Sequence, residues 1–149
     1  MKIITKSDEE TQSAGEEFAK KLNPTDVVFL IGDLGSGKTT FTKGLAKGLG
    51  IDNRIISPTF VVVRRHTVRN EELGIKNKGI KNLFHLDLYR LENEKQALEV
   101  DLKDYLEDKS GVTVIEWPEI SQNLVKRKVW KVLFDTQHTG DRHLEIRYE

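Results

Sequence analysis

The chain has 149 residues, the length of one ordinary domain, and its 24 Lys and Arg residues are balanced by 24 Asp and Glu residues. This balance argues against a protein that binds nucleic acid or an anionic membrane through its overall charge. The chain has no cysteine, which excludes disulfides, thiolate metal sites and cysteine nucleophiles. Its apolar runs are too short to span a membrane and its N-terminus has no apolar signal core, so we expect one cytoplasmic domain over residues 1–149.

The first predicted elements are a short strand and a helix. Residues 3–5 are apolar or β-branched, which favours a strand. Ser7 and Glu10 have the spacing of a capping box, in which the serine hydroxyl and the glutamate carboxylate each accept a hydrogen bond from the other's backbone N–H. Apolar residues then recur at helical spacing as far as Leu22, and the following Asn23-Pro24 predicts the end of the helix.

Residues 32–39 read Gly-Asp-Leu-Gly-Ser-Gly-Lys-Thr and match the phosphate-binding pattern G-x-x-x-x-G-K-[ST] in full. The apolar run 27–31 before this loop has the composition of a buried parallel strand, and the apolar spacing after it predicts a helix that stops at Gly50. A strand, a glycine-rich turn and a helix in this order aim backbone N–H groups at one point, where a polyphosphate binds. Lys38 supplies a charge for the β- and γ-phosphates, and the Thr39 hydroxyl supplies a ligand for Mg²⁺.

Later segments complete the predicted fold. Strands are predicted from apolar, β-branched or alternating composition at residues 55–65, 83–88, 112–115, 129–134 and 144–148. A turn signal at 139–142 separates the last two and predicts a closing hairpin, and a helix at 98–106 is expected to break near 100–101. The order predicts an α/β protein with a P-loop NTPase-like three-layer fold, a central, mostly parallel sheet and a C-terminal antiparallel hairpin.

Charge is distributed unevenly in the second half of the chain. Residues 64–82 hold six Lys and Arg against two Glu, a net charge of about +4, and residues 87–108 hold eight acids against three basic residues, about −5. We expect residues 69–82 to form a long exposed loop. The two segments are interpreted either as solvated faces or as a polarised surface that orients a partner.

Two acids follow predicted strands, Asp87 and Glu116. Parallel sheets bind ligands at the carboxyl ends of their strands, and a phosphate-loop NTPase needs a carboxylate there for Mg²⁺. Glu116 ends the more uniformly apolar strand, whereas Asp87 has polar neighbours such as His85 that suit a carboxylate positioning an attacking water. The alternatives are a helix cap or an ion pair with Arg90 for Asp87, and an exposed strand-end acid for Glu116.

Three further features have two interpretations each. Trp117, which Pro118 forces out of the helical region, either packs in the interior or lines the site. The segment 57–59, Ser-Pro-Thr, is either a plain turn or a switch that senses the γ-phosphate. His85 is interpreted as a core or edge histidine rather than a metal ligand, because no second histidine stands at metal-binding spacing.

Four segments in series resemble the TsaE family (formerly YjeE), the ATPase of bacterial tRNA threonylcarbamoyladenosine biosynthesis: residues 32–40, 57–60, 85–91 and 116–119. The resemblance covers nearly the whole chain. It implies a P-loop fold with ATP and Mg²⁺ as cofactors, and ATP hydrolysis that supports turnover of a complex with TsaD and TsaB. That complex modifies adenosine 37 of tRNAs that read A-starting codons, so tRNA contact is expected indirectly, through the complex.

The resemblance also implies roles for individual residues. The phosphates would be held by Gly35, Ser36, Gly37, Lys38, Thr39 and Thr40. Thr39 and Glu116 would serve Mg²⁺, and Asp87 would take part in hydrolysis with Lys38 and Glu116 as the other catalytic residues. Thr59 and Trp117 would line the site, and Asp8, Thr11 and Gly140 would border the nucleoside.

Two other functions are compatible with a phosphate loop. A small-molecule or nucleoside kinase needs an acceptor pocket and an arginine-bearing lid, for which the segment 64–69 is the candidate. A nucleotide-gated binding module needs the nucleotide site but not its hydrolysis. The accessory ATPase is the leading hypothesis.

Overall fold

The computed structural model describes residues 1–51, 55, 62–69 and 78–149. Within these ranges seven strands form one sheet: β1 Lys2–Thr5, β2 Val27–Ile31, β3 Val63–Thr67, β4 Asn82–Asp87, β5 Gly111–Glu116, β6 Trp130–Thr136 and β7 Arg142–Tyr148. The described α-helices are α1 Asp8–Ala19, α2 Lys38–Gly48, α3 Glu94–Glu99 and α4 Leu102–Glu107. Two 3₁₀ turns, Pro118–Ile120 and Gln122–Leu124, follow β5.

The strand order is β1-β7-β6-β2-β5-β4-β3. The middle of the sheet is parallel, since β2 pairs in this way with both β5 and β6, and β5 pairs with β4. The outer pairs β1–β7, β6–β7 and β3–β4 are antiparallel. This topology confirms the predicted α/β class, the mostly parallel centre and the C-terminal antiparallel hairpin.

Apolar side chains cover both faces of the sheet and make the three layers. On one face, Val28, Leu30 and Val114 pack in a core with side chains of α1 and α2, among them Phe18 and Phe41. On the other face a second core contains side chains of the same central strands together with residues of α3 and α4. The central strands are therefore buried on both sides, as their continuous apolar composition requires.

Local signals place the start of α1 as the sequence predicts, with one difference in the capping box, whereas α1 ends at Ala19, three residues before the predicted Leu22. Ser7 Oγ accepts a hydrogen bond from the Glu10 backbone N–H at 3.1 Å. The Glu10 carboxylate instead accepts from the backbone N–H of Lys6, at 2.7 Å, one residue before the expected donor. The expected break between α3 and α4 is confirmed at Asp101, whose φ of +61° ends one helix before the next begins.

The strand predicted at 55–65 falls only partly on described residues. Residues 56–61 lie outside the described residues, and β3 runs from Val63 to Thr67, paired antiparallel with β4. Val62 has a φ of +68°, which is incompatible with strand backbone and sets the start of β3. Most of the predicted loop 69–82 and the predicted switch residue Thr59 also lie outside the described residues. Within the described ranges, no helix has the length and apolarity needed to cross a bilayer.

The backbones of α1 and α2 approach closely where each helix carries a glycine. A Cβ on Gly44 would lie 1.8 Å from the backbone oxygen of Gln12, and a Cβ on Gly15 would lie 2.1 Å from that of Phe41. The atoms that such a Cβ would meet belong to the backbone and cannot rotate away as a side chain can. A methyl group at either position would therefore force the helices apart. The glycines therefore set the position of α2, which begins at the end of the phosphate loop.

We predict that Gly44→Ala lowers the free energy of unfolding by about 1–3 kcal/mol, the usual cost of overpacking. Urea denaturation of the two proteins measures this difference. Lys43→Ala, an exposed substitution in the same helix, is the matched control and is expected to change stability little. A Gly44→Ala protein as stable as the control would contradict the close approach.

Candidate functional site

The phosphate loop and the carboxyl ends of β4 and β5 border one cleft of about 260 Å³. The sequence-predicted residues that line it are Asp8, Gly35, Gly37, Lys38, Thr39, Thr40, Asp87, Glu116 and Trp117. Leu34 and Arg142 complete the lining. The residues come from segments far apart in the chain, and the parallel strands bring them to the same edge of the sheet.

The loop backbone has the conformation that its glycines permit. Gly35 and Gly37 have φ values of +75° and +104°, in the region that residues with a Cβ rarely adopt. Gly37 is also the N-cap residue of α2, and a Cβ there would lie 3.0 Å from Cδ of Arg142. The N-terminus of an eleven-residue helix thus opens onto the cleft, an arrangement that attracts anions.

Lys38 is buried and is folded back onto its own loop. Its Nζ donates hydrogen bonds to the backbone oxygens of Gly32 and Asp33, at 2.6 and 2.8 Å, and lies 4.6 Å from the centre of the Trp117 ring. Burial lowers the pKa of Lys38 from its ordinary value, although the charges of Glu116 and Asp87 act in the opposite direction. Phosphate oxygens are stronger acceptors than the two carbonyls, so the ammonium group is available to a polyphosphate.

Asp87 and Glu116 lie side by side as register partners at the ends of the parallel strands β4 and β5. Both are buried, so Glu116 is not the exposed strand-end acid of the alternative interpretation. Oδ1 of Asp87 accepts a hydrogen bond from the backbone N–H of Tyr89 at 2.9 Å, which turns the chain at the strand end. Oε2 of Glu116 lies 3.0 Å from Nε2 of His85.

Trp117 forms one wall of the cleft. Its φ and ψ of 56° and 60° place it outside the right-handed helical region, as expected before Pro118. Its ring contacts that of Tyr89, with 5.0 Å between the centroids, and covers the Lys38 ammonium group. The interpretation of Trp117 as a site-lining residue therefore agrees with its position.

Arg142 is a site residue that the sequence reasoning missed. It begins β7, and its guanidinium donates hydrogen bonds to Asp8 Oδ1 at 2.7 Å and to Thr11 Oγ1 at 3.1 Å. The sequence placed it in a turn. The available signal was topological: β7 is antiparallel to β6, so its first residue lies at the edge where the parallel strands end.

The remaining predicted residues have different surroundings. Thr11 is buried, and its hydroxyl is hydrogen-bonded to Thr5 and to Arg142 rather than lining the cleft. Ser36 is buried, within 2.7 Å of the position that a Cβ on Gly32 would take. Gly140, with φ of +88°, lies in the turn between β6 and β7 and is not among the described residues that line the cleft. The roles of these residues stay predictions, as does that of Thr59.

The residues at the cleft fit a magnesium–nucleotide complex. The Thr39 hydroxyl and the two buried carboxylates are oxygen donors of the kind that Mg²⁺ prefers. Within the described ranges, no group of three His, Asp or Glu side chains converges to hold a metal alone. Magnesium typically completes its shell with substrate phosphates and water, and the glycine loop offers backbone N–H groups for those phosphates.

Comparisons with known proteins point to one family. The family model for the threonylcarbamoyl adenosine biosynthesis protein TsaE matches residues 5–144. The protein of Bacillus subtilis named tRNA threonylcarbamoyladenosine biosynthesis protein TsaE is 34% identical over 148 residues, 99% of this chain and 84% of the relative. A Rickettsia typhi protein of the same name is 33% identical and covers 96% and 92%. The crystal structure of Bacillus subtilis YdiB has a TM-score of 0.74 at 29% identity and covers 97% of this chain and 82% of that one.

We predict that the fluorescence of Trp117 changes when ADP binds, because phosphates draw Lys38 away from the ring that it now contacts. The measurement is a titration in a Trp130→Phe background. Trp130 donates a hydrogen bond to Asp26 at 3.1 Å and packs beside Phe18, so it is a partly buried reporter of a different region. The Trp117→Phe variant is the matched control. An equal change from its remaining Trp130 would contradict the assignment.

Proposed function

The chain belongs to the TsaE family of tRNA threonylcarbamoyladenosine biosynthesis proteins, and we propose that it is an ATP hydrolase that supports turnover of a complex of TsaD and TsaB. The observation that carries the proposal is the cleft itself, where the phosphate loop and two buried carboxylates from neighbouring strand ends face each other. Such a cleft provides an anion cradle and acid side chains within one small volume.

The proposal assigns nucleotide binding to the loop and to Lys38. The backbone N–H groups of the loop and the α2 N-terminus hold the phosphates of ATP, and Lys38 exchanges its two carbonyl partners for phosphate oxygens. Thr39 and Glu116 hold Mg²⁺, which, when bound, neutralises the charge that develops on the transferred phosphoryl group. The position of Lys38 supports this assignment, since its ammonium group lies under the Trp117 ring and Lys38 already lines the cleft.

Asp87 is assigned to hydrolysis. Its carboxylate lines the cleft and is held by the backbone N–H of Tyr89, so it has a fixed direction from which to orient a water against the terminal phosphate. Arg142, fixed by Asp8 and Thr11, supplies a second positive charge to the lining of the cleft. The role for the complex is the conversion of ATP free energy into turnover, with threonylcarbamoyl transfer to adenosine 37 performed by the partners.

The first test is ATP hydrolysis by the purified protein with and without TsaB and TsaD. We expect slow hydrolysis alone and stimulation by the partners. Fast turnover that the partners do not change would contradict the proposal, and label from the γ-phosphate on an added metabolite would favour a kinase.

Lys38→Ala is expected to weaken ATP binding roughly 10- to 100-fold, the value of charge-assisted hydrogen bonds to phosphate.

The second test separates the roles of the two acids. Glu116→Ala is expected to raise the Mg²⁺ concentration needed for hydrolysis while ATP binding in the absence of metal stays nearly unchanged. Asp87→Asn is expected to abolish turnover, while the Mg²⁺ dependence of its ATP binding changes less than that of Glu116→Ala. The reverse result would exchange the two roles. Normal tRNA modification in cells that carry Asp87→Asn would instead favour a nucleotide-gated binding module.

A further inference from the structure

His85 and Glu116 form a buried pair beside the cleft. His85 precedes Asp87 by two residues on β4, so both side chains project from the same face of the strand. Nε2 of His85 lies 3.0 Å from Oε2 of Glu116, and the two side chains are 0% and 4% exposed. The carboxylate that lines the cleft is thus hydrogen-bonded on its far side by a side chain in the interior.

The pairing fixes which nitrogen of His85 donates. A carboxylate accepts hydrogen bonds and does not donate them, so the proton of the pair lies on Nε2. Nδ1 of His85 is buried and has no hydrogen-bond partner among the described residues. A proton on Nδ1 would leave a buried N–H unsatisfied and would place two lone pairs against each other, which is the costlier arrangement. The ring therefore has one tautomer and one orientation toward Glu116.

We propose that His85 is the positioning residue of Glu116: its hydrogen bond to Oε2 fixes the orientation of the carboxylate that would hold the magnesium ion of a bound nucleotide. The inference rests on the proposed function and deepens it. Groups behind a metal-binding side chain commonly fix its orientation, and their loss typically lowers metal affinity 10- to 100-fold.

His66 provides a matched control within the same layer. It lies on β3 opposite Leu83, on the neighbouring strand, and it is also buried. Its Nε2 has no hydrogen-bond partner in the part of the chain that the structure describes. Burial lowers the pKa of His66, and the charges of His85 and Arg64 act in the same direction. Substitution of His66 therefore tests the loss of a buried ring without the loss of a hydrogen bond to Glu116.

The experiment compares His85→Met, which fills space without a donor, with His85→Gln, whose amide nitrogen reaches the position of Nε2. His85→Asn places its amide near the position of Nδ1 and falls short of Glu116. His66→Met is the control. The readout is Mn²⁺ binding to the protein–ADP complex, followed by the electron paramagnetic resonance signal of free Mn²⁺, together with ADP affinity measured in EDTA.

We expect His85→Met and His85→Asn to weaken Mn²⁺ binding roughly 10-fold, and His85→Gln to restore most of it. His66→Met is expected to match the wild type, and ADP affinity in EDTA is expected to be similar in all proteins. Mn²⁺ binding by His85→Met and His85→Asn equal to that of the wild type overturns the inference. An equal loss of Mn²⁺ binding in His85→Gln and His85→Asn also overturns the inference. This second comparison serves as the test if His85→Met does not fold. A wild type that binds no ADP refutes the proposed function instead.

Discussion

Parallel pairing of β2, β5 and β4 is the constraint on which the site depends. Because these strands run in one direction, the loop after β2 and the acids that end the other two meet at one edge of the sheet. The register places Asp87 opposite Glu116. A slip of one residue would turn each carboxylate to the opposite face, against the core that contains α3 and α4. The apolar pattern of the strands therefore determines where the acids point.

The same geometry gathers charges that burial alone would disfavour. Lys38, Asp87 and Glu116 are all buried at the cleft and together carry a net charge of about −1. Burial lowers the pKa of Lys38, whereas the two acids stabilise its charged form. A polyphosphate adds further negative charge to this cluster. In the proposed function this charge favours a nucleotide that arrives with a divalent cation, which would link the loop to the carboxylates.

The sequence predicted those features whose causes are local. The phosphate loop, the flanking β2 and α2, the closing hairpin and the helix break at Asp101 follow from residue spacing and turn chemistry. The hydrogen bond between His85 and Glu116 could not be predicted in this way. It depends on the register in which β4 and β5 pair, and the composition of the strands does not reveal that register. Among the described residues the predicted strand also fails at Val62, whose β-branched side chain favours a strand although its backbone is left-handed.

Arg142 shows how the outer strands β1 and β7 complete the cleft. β1 pairs with β7, and this pairing brings Asp8, at the start of α1, within 2.7 Å of the Arg142 guanidinium. Asp8 is largely exposed, so the ion pair adds little to stability. Its effect is on position, because the same guanidinium packs against Gly37 at the N-terminus of α2. The outer strands β1 and β7 thus contribute to the site through one arginine, which they place beside the phosphate loop.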